Sequence, residues 1–584
     1  MGPSPIPNTA PFAAEEIEIL NRVVSVATPL QRAWLAGFLA GLDAAGSPVE
    51  QPAARPQAAE PLTILFASES GNCERLANDM AKAAPKRGFK PTVEDMADLE
   101  PATLAKVKKL VVIAATWGEG DPPARAVHAY EALMGEGAPR LDGMEFGVLA
   151  LGDTAYVDFC AIGQRIDERL AALGAKRAVE RVDCDLDFEK PAANWIEGAL
   201  SVLAPPEASG EPQGGSVIAV DFGGRAQAEL GPVECEVVDH INLNSSRSGK
   251  QTIHLALGFD GQPVPYEPGD ALDLFAENNP SAVEAVLKAT GIAASETFAS
   301  ELRTARDIQT LSAKTFETFV ATTGHKAAKA LLDSGQAKAW IVDRHLVDLL
   351  EDFPVALTED QLRDLTRPLA PRAYSIASSR RAVGDEAHLL IAAVRYETHG
   401  RAREGVASAF VADRVRKGAT LRAKLRANKH FRLPAPDADM IMVGPGTGIA
   451  PFRAFVQERQ EVGATGRNWL FYGDRHYRDD FLYQLEWQDA LKDGVLTRMD
   501  LAFSRDKPEK VYVQDRIWAR RRDLVDWLDG GARFYVCGDA KAMAKDVRAT
   551  LVKCYADVKA LAPDAAEAAV RSLESGRRYL QDVY

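Results

Sequence analysis

Residues 62–66 (LTILF), 110–116 (LVVIAAT) and 145–152 (EFGVLALG) are unbroken apolar runs of strand length, and 76–84 (LANDMAKAA) spaces its apolar positions as a helix does. Apolar strands alternating with helices predict a parallel sheet covered on both faces. Loops at the carboxyl ends of such strands are where ligands bind. Residues 14–43 also carry helical spacing, through Ile17, Leu20, Val23, Val24, Leu30 and Trp34, until Gly46, Ser47 and Pro48 stop it. This first helical region reads equally well as a domain cap and as an arm packed on another subunit. An Ala-, Pro- and Gln-rich stretch follows to about residue 60, and 205–216 (PPEASGEPQGGS) is the clearest linker in the chain. Strand patterns resume at 235–238 and 252–257, residues 280–370 are largely helical, and strands return at 373–376 and 388–394. A new α/β unit starts near residue 437. The expected organisation is therefore a helical region and linker (1–60), an α/β unit (61–204), a linker (205–216), a strand-rich unit (217–436) with a helical insert at about 271–370, and a second α/β unit (437–584).

Composition changes this picture little. At 584 residues the chain is too long for one core, and its 46% hydrophobic and 26% charged content is ordinary for a soluble protein. The net charge of -14 disfavours nucleic acid and anionic lipid and favours a basic protein partner. The six cysteines form no CxxC and none lies near a histidine at zinc spacing, so no metal is expected. So few cysteines in a long chain fit a reducing cytoplasm. The N-terminus lacks the features of a signal peptide, and residues 34–42 are far shorter than the roughly 20 needed to span a bilayer, so a soluble protein is expected.

Three strand-end loops of the first unit carry candidate chemistry. Ser68, Glu69, Ser70, Gly71, Asn72 and Cys73 follow a strand and open a helix. Their short polar side chains, glycine and helix N-terminus suit a phosphate. Alone, the loop reads as a capped turn. The loops 116–123 and 152–160 each add an aromatic, Trp117 and Tyr156, at the end of a strand of the same sheet, and two such rings can sandwich a planar group. Residues 62–200 thereby resemble a flavodoxin-type FMN domain. The resemblance implies that residues 68–73 hold the FMN phosphate. It implies that Ala115, Thr116, Trp117 and Gly118, with Leu151, Gly152, Asp153, Tyr156, Phe159 and Cys160, flank the isoalloxazine. An acidic residue often holds the ribityl chain in that family, and either Asp183 or Asp185 is offered here.

PRAYSIASS (371–379) joins Arg372, Ala373, Tyr374 and Ser375 in a strand pattern, with Arg372 and Tyr374 on one face. An arginine can meet a pyrophosphate and a tyrosine can lie on a flavin. Gly405, Val406, Ala407 and Ser408 precede a helix and suit a second anion contact. The pair of motifs resembles the FAD barrel of the ferredoxin–NADP reductase family, which adds Tyr396. MVGPGTGIAPFRAF (442–455) is a strand, a Gly-rich turn with Gly444 and Thr447, and a helix. It is not GxGxxG, yet it lets a pyrophosphate approach. Ser504, Arg505, Lys510, Tyr512 and Gln514 follow a later strand, and cations there mark a 2′-phosphate, hence NADPH. The resemblance adds Asp546 to the nucleotide site and Ser375, Cys537 and Asp582 to a hydride site. It also implies that the terminal Tyr584 stacks on the flavin.

The whole is identified as a member of the diflavin reductase family, an α/β multidomain protein. Its expected parts are a flavodoxin-like FMN domain, a ferredoxin–NADP reductase-like FAD β-barrel with a helical connecting insert, and an α/β NADP-binding domain. Segments 468–487, 493–506, 509–515 and 577–584 resemble the soluble sulfite-reducing branch, whose N-terminal region is associated with oligomers. Trp117 departs from the smaller polar residue usual there. The resemblance implies an NADPH-dependent oxidoreductase that passes electrons from NADPH through FAD and FMN to a siroheme and iron–sulfur haemoprotein subunit, which reduces sulfite to sulfide. Acidic groups near the FMN loops (Glu119, Asp121, Asp153, Asp158, Asp187, Glu189) are candidates for steering that partner. One alternative is a soluble diflavin reductase for another haem acceptor, such as a haem-thiolate monooxygenase. Another is a binding subunit with a decayed reductase, which the intact nucleotide motifs oppose.

Overall fold

A computed structural model of the chain describes Asn21 and residues 59–118, 120–156, 158–205, 231–262 and 264–584. The chain divides into two compact units, Met1–Ala59 and Glu60–Tyr584, and the second holds every element named here. The helical region expected at 14–43 (Asn21 apart) and the linker expected at 205–216 (Pro205 apart) lie outside the described residues.

The apolar runs of the first α/β segment form strands β1 (Glu60–Ala67), β2 (Phe89–Asp95), β3 (Lys109–Ala115), β4 (Glu145–Leu151) and β5 (Lys176–Cys184). They pair in parallel in the order β2-β1-β3-β4-β5. Strand periodicity explains why they are apolar throughout. Ile64 and Phe66 enter one core and Leu65 and Ala67 the other, so both faces are buried. The first helix spans Asn72–Ala83 and so starts before the expected residue 76, because Gly71, at φ 82, turns the chain directly into it. The helices Val127–Met134, Ala161–Ala172 and Glu189–Leu203 complete the cover.

The middle segment builds an antiparallel sheet from β6 (Val233–Asn242), β7 (Thr252–Gly258) and β8 (Ala271–Leu274). Residues 271–274 were expected to open the helical insert. They are instead a strand of this sheet, and the helices begin at Pro280. Between Pro280 and Leu365 the insert carries its own core around Phe316, Phe319 and Leu349 and a two-residue strand β9 (Arg306–Asp307). That strand pairs with β10 (Arg367–Pro368). Then follow β11 (Arg372–Ser375), β12 (Glu386–Ala392), β13 (Arg395–Thr398), β14 (Arg401–Glu404) and β15 (Thr420–Arg426). The sheet order β11-β8-β15-β6-β7-β12 makes β11 and β12 its two edges, and an Ile376–Leu389 bridge joins those edges and closes the barrel.

The last segment is a second parallel sheet, ordered β18-β17-β16-β19-β20. Its strands are β16 (Met440–Val443), β17 (Asn468–Asp474), β18 (Arg498–Phe503), β19 (Arg533–Gly538) and β20 (Tyr579–Val583). The C-terminal residues are thus an edge strand, with Asp582 paired in register with Cys537. Among the described residues no helix is long and apolar enough to cross a membrane, and no cluster of His, Cys, Asp and Glu is placed to hold a metal.

Candidate functional site

The three loops of the first sheet lie at the carboxyl ends of β1, β3 and β4, where the strand order reverses around β1. In the first, the Ser68 hydroxyl accepts the Cys73 amide at 3.3 Å, and an added Cβ at Gly71 would meet nothing within 4 Å. The backbone is therefore open at the helix start and fits a phosphate. Cys73 itself is fully buried, and burial pushes its thiol up to about 12, so it packs rather than reacts. In the second loop, Trp117 and Asp121 exchange backbone bonds of 2.8 and 2.9 Å, and Arg165 donates to the Gly120 carbonyl at 3.1 Å. This tight turn leaves the Trp117 ring half-buried. Thr116 turns its hydroxyl away, accepting the Ile162 amide at 3.0 Å.

In the third loop, Tyr156 is exposed and Phe159 half-buried. Asp185 accepts both the amide (3.1 Å) and the hydroxyl (2.6 Å) of Thr154. Asp183 is bonded instead to Arg181 and Gln164. Of the two acidic candidates, Asp185 is the one tied to a flavin loop. Cys160, at φ 55, ends the loop and starts the next helix. Asp153, a candidate for partner steering, is not a free surface charge, because Arg367 of β10 pairs with it. Glu119 lies outside the described residues.

On the barrel, Arg372 and Ala373 are exposed on the edge strand β11, with Tyr374 and Ser375 half-buried. Tyr396 stands exposed on β13, and its hydroxyl is 3.1 Å from His345 Nε2 of the insert. Ser408 is buried within the short helix Val406–Ala409, where its hydroxyl accepts the Val394 amide (3.1 Å) and donates to the Gly405 carbonyl (3.3 Å). That hydroxyl braces the turn.

The hydride-site candidates come together from three parts of the chain. Ser375 donates to Asp582 Oδ2 at 2.8 Å, and the Cys537 thiol approaches the same oxygen at 3.8 Å. Asn428, which the sequence did not single out, reaches the other oxygen at 3.5 Å. Burial raises the Asp582 carboxyl above its ordinary range, against the lowering effect of the Ser375 bond, and burial holds the Cys537 thiol well above its own. Tyr584 follows at once. Its amide bonds the Gly538 carbonyl (3.0 Å) and its hydroxyl lies 2.8 Å from the Thr447 hydroxyl. The Gly-rich turn packs directly on β19, since a Cβ at Gly448 would stand 2.1 Å from the Cys537 carbonyl oxygen.

Beyond β18, the Ser504 amide bonds the Asp474 carbonyl at 3.0 Å, and Gln514 donates to Asp546 at 3.2 Å. Tyr512 caps the helix Val513–Ala519, and neither Arg505 nor Lys510 has an ion-pair partner among the described residues. The sequence reading missed Lys250. From the loop after β6 it bonds both oxygens of the buried Asp474 (2.7 and 2.8 Å), bringing a third cation to Gly446 of the Gly-rich turn. No local signal marks it, because 224 residues separate the pair.

The flavodoxin model matches residues 64–195, the FAD binding domain model 313–410 and the oxidoreductase NAD-binding domain model 442–549. The chain is 41% identical to the sulfite reductase (NADPH) flavoprotein alpha-component of Bacillus subtilis (strain 168), covering 98% of this chain and 99% of that protein. It is 37% identical to the proteins of the same name from Vibrio parahaemolyticus (99% and 96%) and Klebsiella pneumoniae (100% and 99%). The three matched models indicate FMN, FAD and NADPH as cofactors of an NADPH-dependent oxidoreductase.

Proposed function

Since the chain belongs to the family of sulfite reductase (NADPH) flavoprotein alpha-components, we propose that it delivers electrons from NADPH to a siroheme-containing haemoprotein subunit that reduces sulfite to sulfide. When bound, NADPH supplies a hydride, FAD accepts it, and FMN hands single electrons on. The loops 68–73, 115–118 and 151–160 hold FMN, with Asp185 bracing the third. Arg372, Ala373, Tyr374, Ser375, Tyr396 and 405–408 hold FAD. Gly444, Thr447, Ser504, Arg505, Lys510, Tyr512, Gln514 and Asp546 hold NADPH, and Arg505 and Lys510 select its 2′-phosphate.

The observation that carries this reading is the 2.8 Å bond from Ser375 of the barrel edge to Asp582 of the last strand, with Cys537 on the same carboxylate. Such a cluster would set the Asp582 carboxyl beside the nicotinamide, which becomes cationic as it loses hydride and is stabilised by nearby negative charge. Tyr584, half-exposed with its hydroxyl beside that of Thr447, would stack on the flavin and would have to give way to the nicotinamide. The protein acts in the cytoplasm, and its N-terminal region joins copies of the chain.

Anaerobic stopped-flow tests the reading. The chain loaded with FAD and FMN is mixed with NADPH and then with a sulfite reductase haemoprotein. Flavin bleaching followed by haem reduction and sulfide formation is expected. Bleaching with no transfer to that haemoprotein overturns the partner, and no bleaching overturns the reductase.

A further inference from the structure

Arg453 lies on the helix Ala450–Glu461, which begins directly after the Gly-rich turn. Its side chain is almost fully buried and points away from the nucleotide motifs, into the seam between the last sheet and the barrel. There one guanidinium nitrogen donates to the Ala377 carbonyl at 2.7 Å and to His388 Nδ1 at 3.2 Å. The other two nitrogens grip Glu486 at 2.6 and 3.1 Å. The guanidinium also lies over the Tyr483 ring, 4.7 Å from its centroid. The Tyr483 hydroxyl is 2.8 Å from His254 Nδ1, and His254 meets His388 edge-on at 4.9 Å.

The partners sort by origin. Ala377, His388 and His254 belong to the barrel, and Tyr483 and Glu486 belong to the nucleotide unit. Arginine has only donors, so His388 accepts through Nδ1 and is neutral there. Burial and the neighbouring Arg453 hold His388 at about 4, in agreement with that geometry. A cation this deeply buried is costly unless fully bonded, and each of its nitrogens finds a partner.

Ala377 lies two residues beyond Ser375, whose hydroxyl meets Asp582. On its other side Arg453 is one helical turn from the Gly-rich turn. A bonded path therefore runs from the Gly-rich turn proposed to hold the nucleotide, through Arg453, to the strand proposed to hold the flavin. We propose that Arg453 is a positioning residue for hydride transfer, setting the separation of nicotinamide C4 and the flavin rather than binding either. The inference rests on the functional reading above.

The test compares Arg453→Met and Glu486→Gln with the parent holoenzyme. Flavin reduction is followed with NADPH and with NADPH carrying deuterium at nicotinamide C4. NADP⁺ affinity is measured by calorimetry, and the long-wavelength charge-transfer absorbance of NADP⁺ over reduced FAD is recorded. A displacement near 1 Å slows a positioned reaction about 100-fold. Arg453→Met is expected to slow flavin reduction to that order, enlarge the isotope effect and its temperature dependence, and weaken the long-wavelength band. NADP⁺ affinity should stay within about 3-fold, because the guanidinium does not face the nucleotide. Glu486→Gln keeps the cation and should give a smaller change in the same direction. Unchanged rate and isotope effect in folded, FAD-loaded variants overturn the proposal. So does a loss of NADP⁺ affinity in step with rate, and so does loss of FAD from both variants. A parent enzyme that NADPH does not bleach would instead overturn the functional reading itself.

Discussion

Ser375 and Asp582 stand 207 residues apart in sequence and 2.8 Å apart in space. The hydroxyl belongs to an edge strand of the barrel and the carboxylate to the last strand of the nucleotide sheet. Their bond joins the barrel to the last parallel sheet.

In the proposed hydride site, the raised Asp582 carboxyl would link activity to stability. A carboxyl whose folded pKa lies above its unfolded value favours the fold at low pH, and this advantage is lost as pH rises through the folded value. Asp582→Asn removes the titrating group and with it the cost of charging it in a buried site, so it should raise the thermal midpoint at pH 7 and leave it nearly unchanged at pH 3. The same change should slow NADPH-dependent flavin reduction about 100-fold, the order seen when one preorganised electrostatic group is lost. Scanning calorimetry and stopped-flow absorbance read the two effects separately.

Nucleotide choice should follow Arg505 and Lys510. Neither is tied up in an ion pair among the described residues, so both charges are free for a 2′-phosphate. The double change Arg505→Ala and Lys510→Ala should raise KM for NADPH about 100-fold, on the order of two lost charge-assisted bonds, and barely alter KM for NADH. Steady-state kinetics with both nucleotides decides it.

Lys250→Met should do more than weaken nucleotide binding. It leaves the buried Asp474 carboxylate without its cation. Loss of about 3 kcal/mol of stability is expected, as for a buried pair broken on one side, with an increase in KM for NADPH. Lys250→Arg should restore stability. Urea unfolding followed by tryptophan fluorescence measures it, since Trp469 and Trp487 lie in the cores of that unit.

The flavodoxin-like segment meets the rest of its unit through charges of one arrangement. Its acids Asp153, Glu74 and Asp98 face Arg367, Lys429 with His430, and Arg577. The His430 bond, followed by the charge of Lys429, holds the Glu74 carboxyl below its ordinary range. Exposed pairs weaken as the screening length falls from about 10 Å at 0.1 M salt to about 3 Å at 1 M. Electron passage between the flavins should therefore slow several-fold over that range while the hydride step holds. Arg367→Gln should reproduce the slowing at low salt. Flash-initiated absorbance changes separate the two steps.

Much of the architecture was legible in local pattern. The apolar runs at 62–66, 110–116 and 145–152 became central strands because alternate residues feed two cores, and only a doubly covered strand can be apolar throughout. The loops were legible for a related reason: glycine, small polar residues and aromatics stand at strand ends, where backbone conformation and ligand approach both constrain the residue. Local pattern misled where a short segment takes its role from a neighbour. Residues 271–274 are a strand only because β11 and β15 pair with them.

What the sequence by itself determined is the order of the domains, the two parallel sheets and the types of residue offered to each cofactor. Those follow from periodicity and turn chemistry, which act over a few residues. What only the tertiary structure decided is which of those residues meet. Asp582 was a tail residue until β20 paired with β19, Lys250 was a loop lysine until Asp474 lay beside it, and Arg453 was one more helical arginine until the barrel closed over it. The reason is physical: a hydrogen bond or ion pair acts over a few ångströms, and no local pattern records which distant strand the fold brings within that range.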